Sequence, residues 1–144
     1  MAAALKAEGR TLLDRLDDLY REHGLHATSQ LSVRVDDLTI ITAAMQRLRS
    51  SPPTSLAGID VASVDDLADG YRGLPPTDGI RLGLGTGARI SAARIICRPS
   101  GTEPKIKCYV EVVVPVGDSM DAARDEAQAA IDGIKADLAN ALGL

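Results

Sequence analysis

Residues 105–114 read Lys-Ile-Lys-Cys-Tyr-Val-Glu-Val-Val-Val, and their alternation sets the architecture. Ile106, Cys108, Val110, Val112 and Val114 share one face, while Lys107, Tyr109 and Glu111 share the other. That is the period-two pattern of a strand with one buried side. Working backwards, Arg89 to Cys97 is a second run rich in Ile and Ala. Ile80, Leu82 and Leu84 alternate with Arg81 and Gly83 in a third run, and Gly58 to Val64 alternates as a fourth. Between the last two, Asp65 to Asp78 is a loop rich in Asp, Gly and Pro. Downstream, Asp118 and Asp121 open a helix whose Ala127, Ile131, Ile134 and Leu138 form an apolar stripe able to cover a sheet. Strands and helices do not alternate in a βαβ rhythm. The expected fold class is therefore α+β: a four-stranded antiparallel sheet with helices packed on one face, preceded by a helical segment.

That preceding segment begins with an amphipathic helix from Leu5 to Glu22. Leu12, Leu16 and Leu19 fall at i, i+4 and i+7, Leu13 and Tyr20 widen the stripe, and His23 with Gly24 marks the end. Leu31 to Val35 reads as a short strand or an extended connector. A second helix, capped by Asp36 or Asp37, carries Leu38, Ile41, Met45 and Leu48 on one side and stops at Ser50-Ser51-Pro52-Pro53. Pro52-Pro53 is the strongest linker signal, which divides the chain into a helical segment, 1–50, and a compact unit, 51–144.

Composition narrows the function classes. The chain has 144 residues, with 16 Lys+Arg against 20 Asp+Glu and a formal net charge of -4, which suits one soluble globular domain. With no Trp, no Phe and three Tyr, it lacks the stacking platforms of single-stranded nucleic-acid binders, and its acidity disfavours phosphate backbones and anionic membranes as bulk partners. No apolar stretch approaches the roughly 20 residues needed to span a bilayer. The first residues lack the pattern of a secretory signal, so a cytoplasmic location is expected. Cys97 and Cys108 form no CxxC pair and have no clustered His, and so read as reduced thiols in a strand pair. Expected partners include neither nucleic acid nor membrane.

Chemistry concentrates in Arg98-Pro99-Ser100-Gly101-Thr102-Glu103-Pro104-Lys105, which joins the two best strands and is too long for a two-residue hairpin turn. Two prolines brace it. Gly101 can let backbone amides turn toward one point, Ser100 and Thr102 add hydroxyls, and Arg98 and Lys105 bring fixed positive charge, the components of an anion nest. A phosphate monoester fits such donors, Arg holding two oxygens at once and Lys acting as a point charge. On chemistry alone, a hairpin loop with a solvated Arg and Lys stands beside this reading. Glu103 would repel a phosphate and is expected to point away and pair with a cation such as Lys107.

Two other features invite and resist assignment. Gly83-Leu84-Gly85-Thr86-Gly87 superficially suggests a dinucleotide loop, but a strand rather than a helix follows it, so it reads as a turn. His23 with His26, and the pairs Asp17-Asp18, Asp36-Asp37 and Asp65-Asp66, could be metal ligands, yet they suit helix ends and surface positions better. No metal site is expected.

The stretch Arg98 to Glu111, RPSGTEPKIKCYVE, resembles the phosphate-binding loop and following strand of the α-D-phosphohexomutases, nearer the phosphomannomutase and phosphoglucomutase branches than the phosphoglucosamine mutase branch. A weaker likeness extends from Ser51 to Leu144 and is similar to that family's fourth and last domain, a TBP-like four-stranded sheet with helices. Met1 to His26 looks like the end of the third. The resemblance implies that Arg98, Ser100, Gly101 and Thr102 grip the phosphate of a hexose 1- or 6-phosphate, with Lys105 assisting. It implies as partners the phosphosugar and the remaining domains of the same enzyme. The family's phosphoserine Ser-His-Asn motif, its DGDGDR magnesium loop and its GEYSGH sugar loop do not occur in this chain. Neither catalytic residues nor a cofactor are therefore expected here, and Mg2+ is expected in the other domains. The alternative is a stand-alone, non-catalytic sugar-phosphate-binding module, or one that completes an enzyme in trans.

Overall fold

The computed structural model describes residues 1–144. Its elements are α1 (Ala2–Ala7), α2 (Leu12–His23), β1 (Leu25–Arg34), α3 (Leu38–Ser50), β2 (Ser55–Leu56), β3 (Ile59–Asp66), a 3₁₀ turn (Leu67–Asp69), β4 (Ile80–Leu84), β5 (Ala92–Pro99), β6 (Lys105–Val114) and α4 (Met120–Leu142). The strands form one sheet in the order β1-β6-β5-β4-β3-β2, with every neighbouring pair antiparallel.

The α+β class and the antiparallel pairing match the sequence reading, but the sheet has six strands, not four. The short β2 extends one edge. The other edge is β1, ten residues long where only a connector or short strand was expected, paired with β6 along its whole length from Leu25↔Val114 to Arg34↔Lys105. Its period-two signal is weak because Ala27 and Ser29 sit at positions where β6 carries Val112 and Val110. A strand and a helix from before Pro52-Pro53 thus share the sheet and core with the strands and helix after it, so the packing does not divide at that dipeptide.

Inward residues of the sheet, among them Leu82, Ile95, Ile106, Val110 and Val112, are buried under α3 and α4. From the helices come Ile41, Met45 and Leu48 of α3 and Ala127, Ile131, Ile134 and Leu138 of α4, as expected from their spacing, whereas Leu38, expected in the α3 stripe, is 64% exposed at the first position of the helix. Asp37 caps α3 and Ser119 caps α4.

The first helix departs from expectation. Gly9, with φ 72°, interrupts it, and Thr11 starts α2 with a reciprocal capping box in which Thr11 Oγ1 accepts from the Asp14 amide. No residue of α2 is buried: Leu12 and Leu13 are 54% and 73% exposed. Gly24 ends it with φ 88° and ψ 155°, a positive-φ turn but not the left-handed helical stop, while its amide donates to Tyr20.

Candidate functional site

One face of the sheet is left uncovered by the helices, and alternation dictates what it carries. Successive positions on β5 are Arg94, Ile96 and Arg98, and on β6 Lys105, Lys107, Tyr109 and Glu111. On β1 they are Thr28, Gln30, Ser32 and Arg34. The loop between β5 and β6 stands at one end of this face.

The backbone closes the neck of that loop. The Ser100 amide donates to the Lys105 carbonyl at 2.8 Å, the Lys105 amide turns back to the Glu103 carbonyl at 2.7 Å, and the Val35 amide, one residue past β1, donates to the Pro104 carbonyl at 2.9 Å. Between these ties, the amides of Gly101, Thr102 and Glu103 donate to no acceptor within the chain, and the hydroxyls of Ser100 and Thr102 have no hydrogen-bond partner. Gly101 and Thr102 are exposed. Gly101 does not occupy the positive-φ region, so the turn does not depend on glycine's freedom as expected. A Cβ built on it meets nothing within 4 Å, and what its absence provides is open space in front of the loop.

Around the loop stand four cations. Arg98 is directly opposite Lys107 in the β5–β6 register, and Lys105 is opposite Arg34 in the β1–β6 register. Neither Arg98 nor Lys107 belongs to an ion pair; the Arg98 guanidinium lies over the Tyr109 ring, 6.0 Å from its centroid. Like charges directly opposite each other oppose sheet pairing. This corner of the sheet keeps such a pair without an acidic partner.

Glu103 neutralises the other pair. Arg34 Nη2 donates to Glu103 Oε1 at 2.6 Å and Lys105 Nζ contacts Glu103 Oε2. Lys105, then Arg34, holds the Glu103 carboxyl below the usual range against the opposing effect of desolvation. The expected partner, Lys107, is therefore wrong. Lys105 and Lys107 lie on the same face, and β1 delivers Arg34 opposite the nearer of the two.

The structure thus brings Arg98, Ser100, Gly101, Thr102 and Lys105 together in one loop and its flanking strand ends. Sequence reasoning missed Lys107 and Arg34. Lys107 was legible from alternation, since it shares a face with Lys105, whereas Arg34 needed the β1–β6 pairing. Beside the loop, the open face carries a hollow of about 400 Å3 bordered by Thr28, Gln30, Arg94, Tyr109 and Glu111. Burial pushes the Glu111 carboxyl up, but Arg94 at 2.6 Å and His26 at 3.4 Å outweigh it and hold it below the usual range.

The remaining sequence candidates lie elsewhere. His26 faces Glu111 and His23 faces Glu22, and no three His, Cys, Asp or Glu side chains cluster to hold a metal ion. Gly83-to-Gly87 leads from β4 toward β5, with no helix following it. Cys97 and Cys108 are free, fully buried and opposite each other, and their mutual hydrogen bond followed by burial pushes the Cys97 thiol up. No helix is long and apolar enough to cross a membrane.

Comparison with known proteins converges on one group. Residues 31–129 match the model of the phosphoglucomutase/phosphomannomutase C-terminal domain. A probable phosphomannomutase of Haemophilus influenzae is 40% identical over 107 residues, 74% of this chain and 20% of that protein. A phosphoglucomutase of Staphylococcus aureus is 32% identical over 134 residues, covering 83% and 23% respectively. The fold resembles the crystal structure, in its open form, of pp63/parafusin, an exocytosis-sensitive phosphoprotein and phosphoglucomutase from Paramecium. The TM-score is 0.55 at 18% identity, covering 93% of this chain and 24% of that one. The chain spans about a fifth of the length of the curated relatives it matches.

Proposed function

The chain belongs to the phosphoglucomutase/phosphomannomutase family, whose C-terminal domain it matches, and we propose that its Arg98–Lys105 loop holds the phosphate of a hexose 1- or 6-phosphate during intramolecular phosphoryl transfer. The observation that carries this reading is the set of unspent donors: three consecutive amides and two hydroxyls without acceptors, beside Arg98 and Lys107 without counter-ions. A phosphate dianion supplies the missing acceptors and the missing negative charge together. Arg98 and Lys105 flank the loop, Ser100 and Thr102 donate hydroxyl protons, and the space before Gly101 admits the anion close to the backbone.

Each hydrogen bond to a charged group contributes roughly 1.5–3 kcal/mol, while association costs about 4–15 kcal/mol. The loop alone therefore binds weakly, and selection of the sugar falls to other domains. In the same reading this chain is silent in a mutase assay, because the phosphoserine and the Mg2+ that transfer requires would be supplied outside it. A cytoplasmic enzyme suits the unpaired, reduced Cys97 and Cys108.

Titration with glucose 1-phosphate and with mannose 1-phosphate, followed by amide chemical shifts, tests the site. Shifts centred on Ser100, Gly101 and Thr102 are expected; shifts confined to other parts of the molecule overturn the reading. A second reading, a module that binds sugar phosphate alone or completes an enzyme in trans, draws on the exposed Leu12 and Leu13 of α2. Restoration of mutase activity on mixing with a mutase lacking this domain favours it, and activity absent from every mixture counts against the trans form.

A further inference from the structure

Loop and strand β1 meet at one carboxylate. Glu103 offers its two oxygens to two different cations: Oε2 to Lys105, two residues on, and Oε1 to Arg34, which reaches across from β1 at 2.6 Å. These are the charged side chains that face it. The Val35–Pro104 backbone bond at 2.9 Å holds the same two segments in register, so Arg34 is delivered by the sheet and not by a wandering side chain.

This geometry poses a conflict for anion binding. Lys105 is engaged by Glu103 in the free protein, so an arriving phosphate must draw the ammonium away from a carboxylate in the same loop. Once it does, the carboxylate left behind repels the phosphate unless another cation stays with it. Arg34 is that cation. We infer that Arg34 is a positioning residue for the phosphate site: it keeps Glu103 turned toward β1 and neutralised, freeing Lys105 for the anion without touching the anion itself. The inference rests on the loop being the phosphate site.

Arg34 is exposed, with 67% of its side chain accessible, so Arg34→Gln leaves the core untouched. The experiment is a double-mutant cycle on the full chain, with inorganic phosphate and glucose 1-phosphate as probes and the Ser100–Thr102 amides as reporters. Arg34→Gln is expected to weaken binding roughly three- to tenfold, the scale of one exposed charge pair acting on a divalent anion. Arg34→Lys restores most of that loss. In the Glu103→Gln background, where no carboxylate remains to be held, Arg34→Gln changes little. Without ligand, Arg34→Gln also moves the Glu103 carboxyl titration upward, a readout that a merely structural role would not shift.

Equal weakening in both backgrounds overturns the inference by making Arg34 a direct phosphate contact. Unchanged affinity in Arg34→Gln, or a Glu103 titration that stays in place, overturns it as well. All three outcomes leave the loop assignment standing. Loop amides that stay still in the unsubstituted chain remove the loop assignment and this inference together.

Discussion

Arg98 and Lys107 stand directly opposite each other on the helix-free face of the sheet, and neither has an acidic side chain to offset it. Like charges so placed weaken strand pairing, so replacing one of them relieves a repulsion and, at the proposed site, removes a cation from the anion's surroundings. Lys107→Gln is expected to leave the thermal midpoint unchanged or slightly raised, and to weaken glucose 1-phosphate binding about tenfold, the worth of one charged hydrogen bond. Calorimetric unfolding together with the amide titration checks both halves. A variant that loses stability and keeps its affinity contradicts them.

Gly101 separates fold from function. Its φ is ordinary and a Cβ there meets nothing within 4 Å, so Gly101→Ala should alter stability by no more than about 0.5 kcal/mol. The added methyl would occupy the space an anion needs, and phosphate affinity should fall. Urea unfolding paired with the same titration tests the contrast.

Gly24 behaves oppositely. Its φ of 88° and ψ of 155° lie in a region nearly reserved for glycine, and a Cβ would come within 3.0 Å of Val113 Cγ1. Gly24→Ala is expected to cost on the order of 1–3 kcal/mol from backbone strain, read from the urea midpoint.

Acid sensitivity arises from carboxylates held low in the folded state. Arg49, then the Ala68 amide, lowers the Asp66 carboxyl; Thr11 lowers Asp14, and Lys105 and Arg34 lower Glu103. A folded pKa below the unfolded one means that the stabilisation is complete above the unfolded value, about 4, and is lost as pH falls through the folded value. Urea midpoints should therefore change little between about pH 7 and 5 and drop below about pH 4. Arg49→Gln should flatten that drop. Phosphate binding has its own pH window: it should strengthen as pH rises through about 6, where a phosphomonoester gains its second charge.

Cys97 and Cys108 should stay unreactive toward a thiol reagent in the native protein, since both are fully buried and the Cys97 thiolate is disfavoured. Modification at the rate of global unfolding is expected; rapid labelling of the folded chain would contradict the packing.

Much of this was legible in the sequence where one physical pattern dominated. β6 alternates from Lys105 to Val112 and departs only at the outward Val113, the stripes of α3 beyond Leu38 and of α4 fall at helical spacing, and the loop announced itself by its prolines, hydroxyls and flanking cations. What escaped depended on pairing between distant segments. Ser29 sits at an inward-alternating position and is contacted by Lys135 Nζ at 3.4 Å from α4, a polar arrangement that no local pattern in β1 could signal. Arg34 reached Glu103 only through that same strand. Lys107 was visible, but alternation could not tell it from Lys105 as the partner of Glu103. The apolar spacing of α2 was read correctly as a stripe, yet spacing carries no information about what, if anything, lies against it.

The pairing of Leu25–Arg34 with Lys105–Val114 also orders events in time. Among the six strands of this sheet the edge strand is made first, and its only neighbour in the sheet is the last of the six to be made. Until that neighbour emerges, the edge strand has no template, so the sheet can be completed only after Lys105–Val114 has been made, and the closure must bridge a large separation along the polypeptide. The Val35 amide and the Pro104 carbonyl meet only at that closure, and Arg34 reaches Glu103 no earlier.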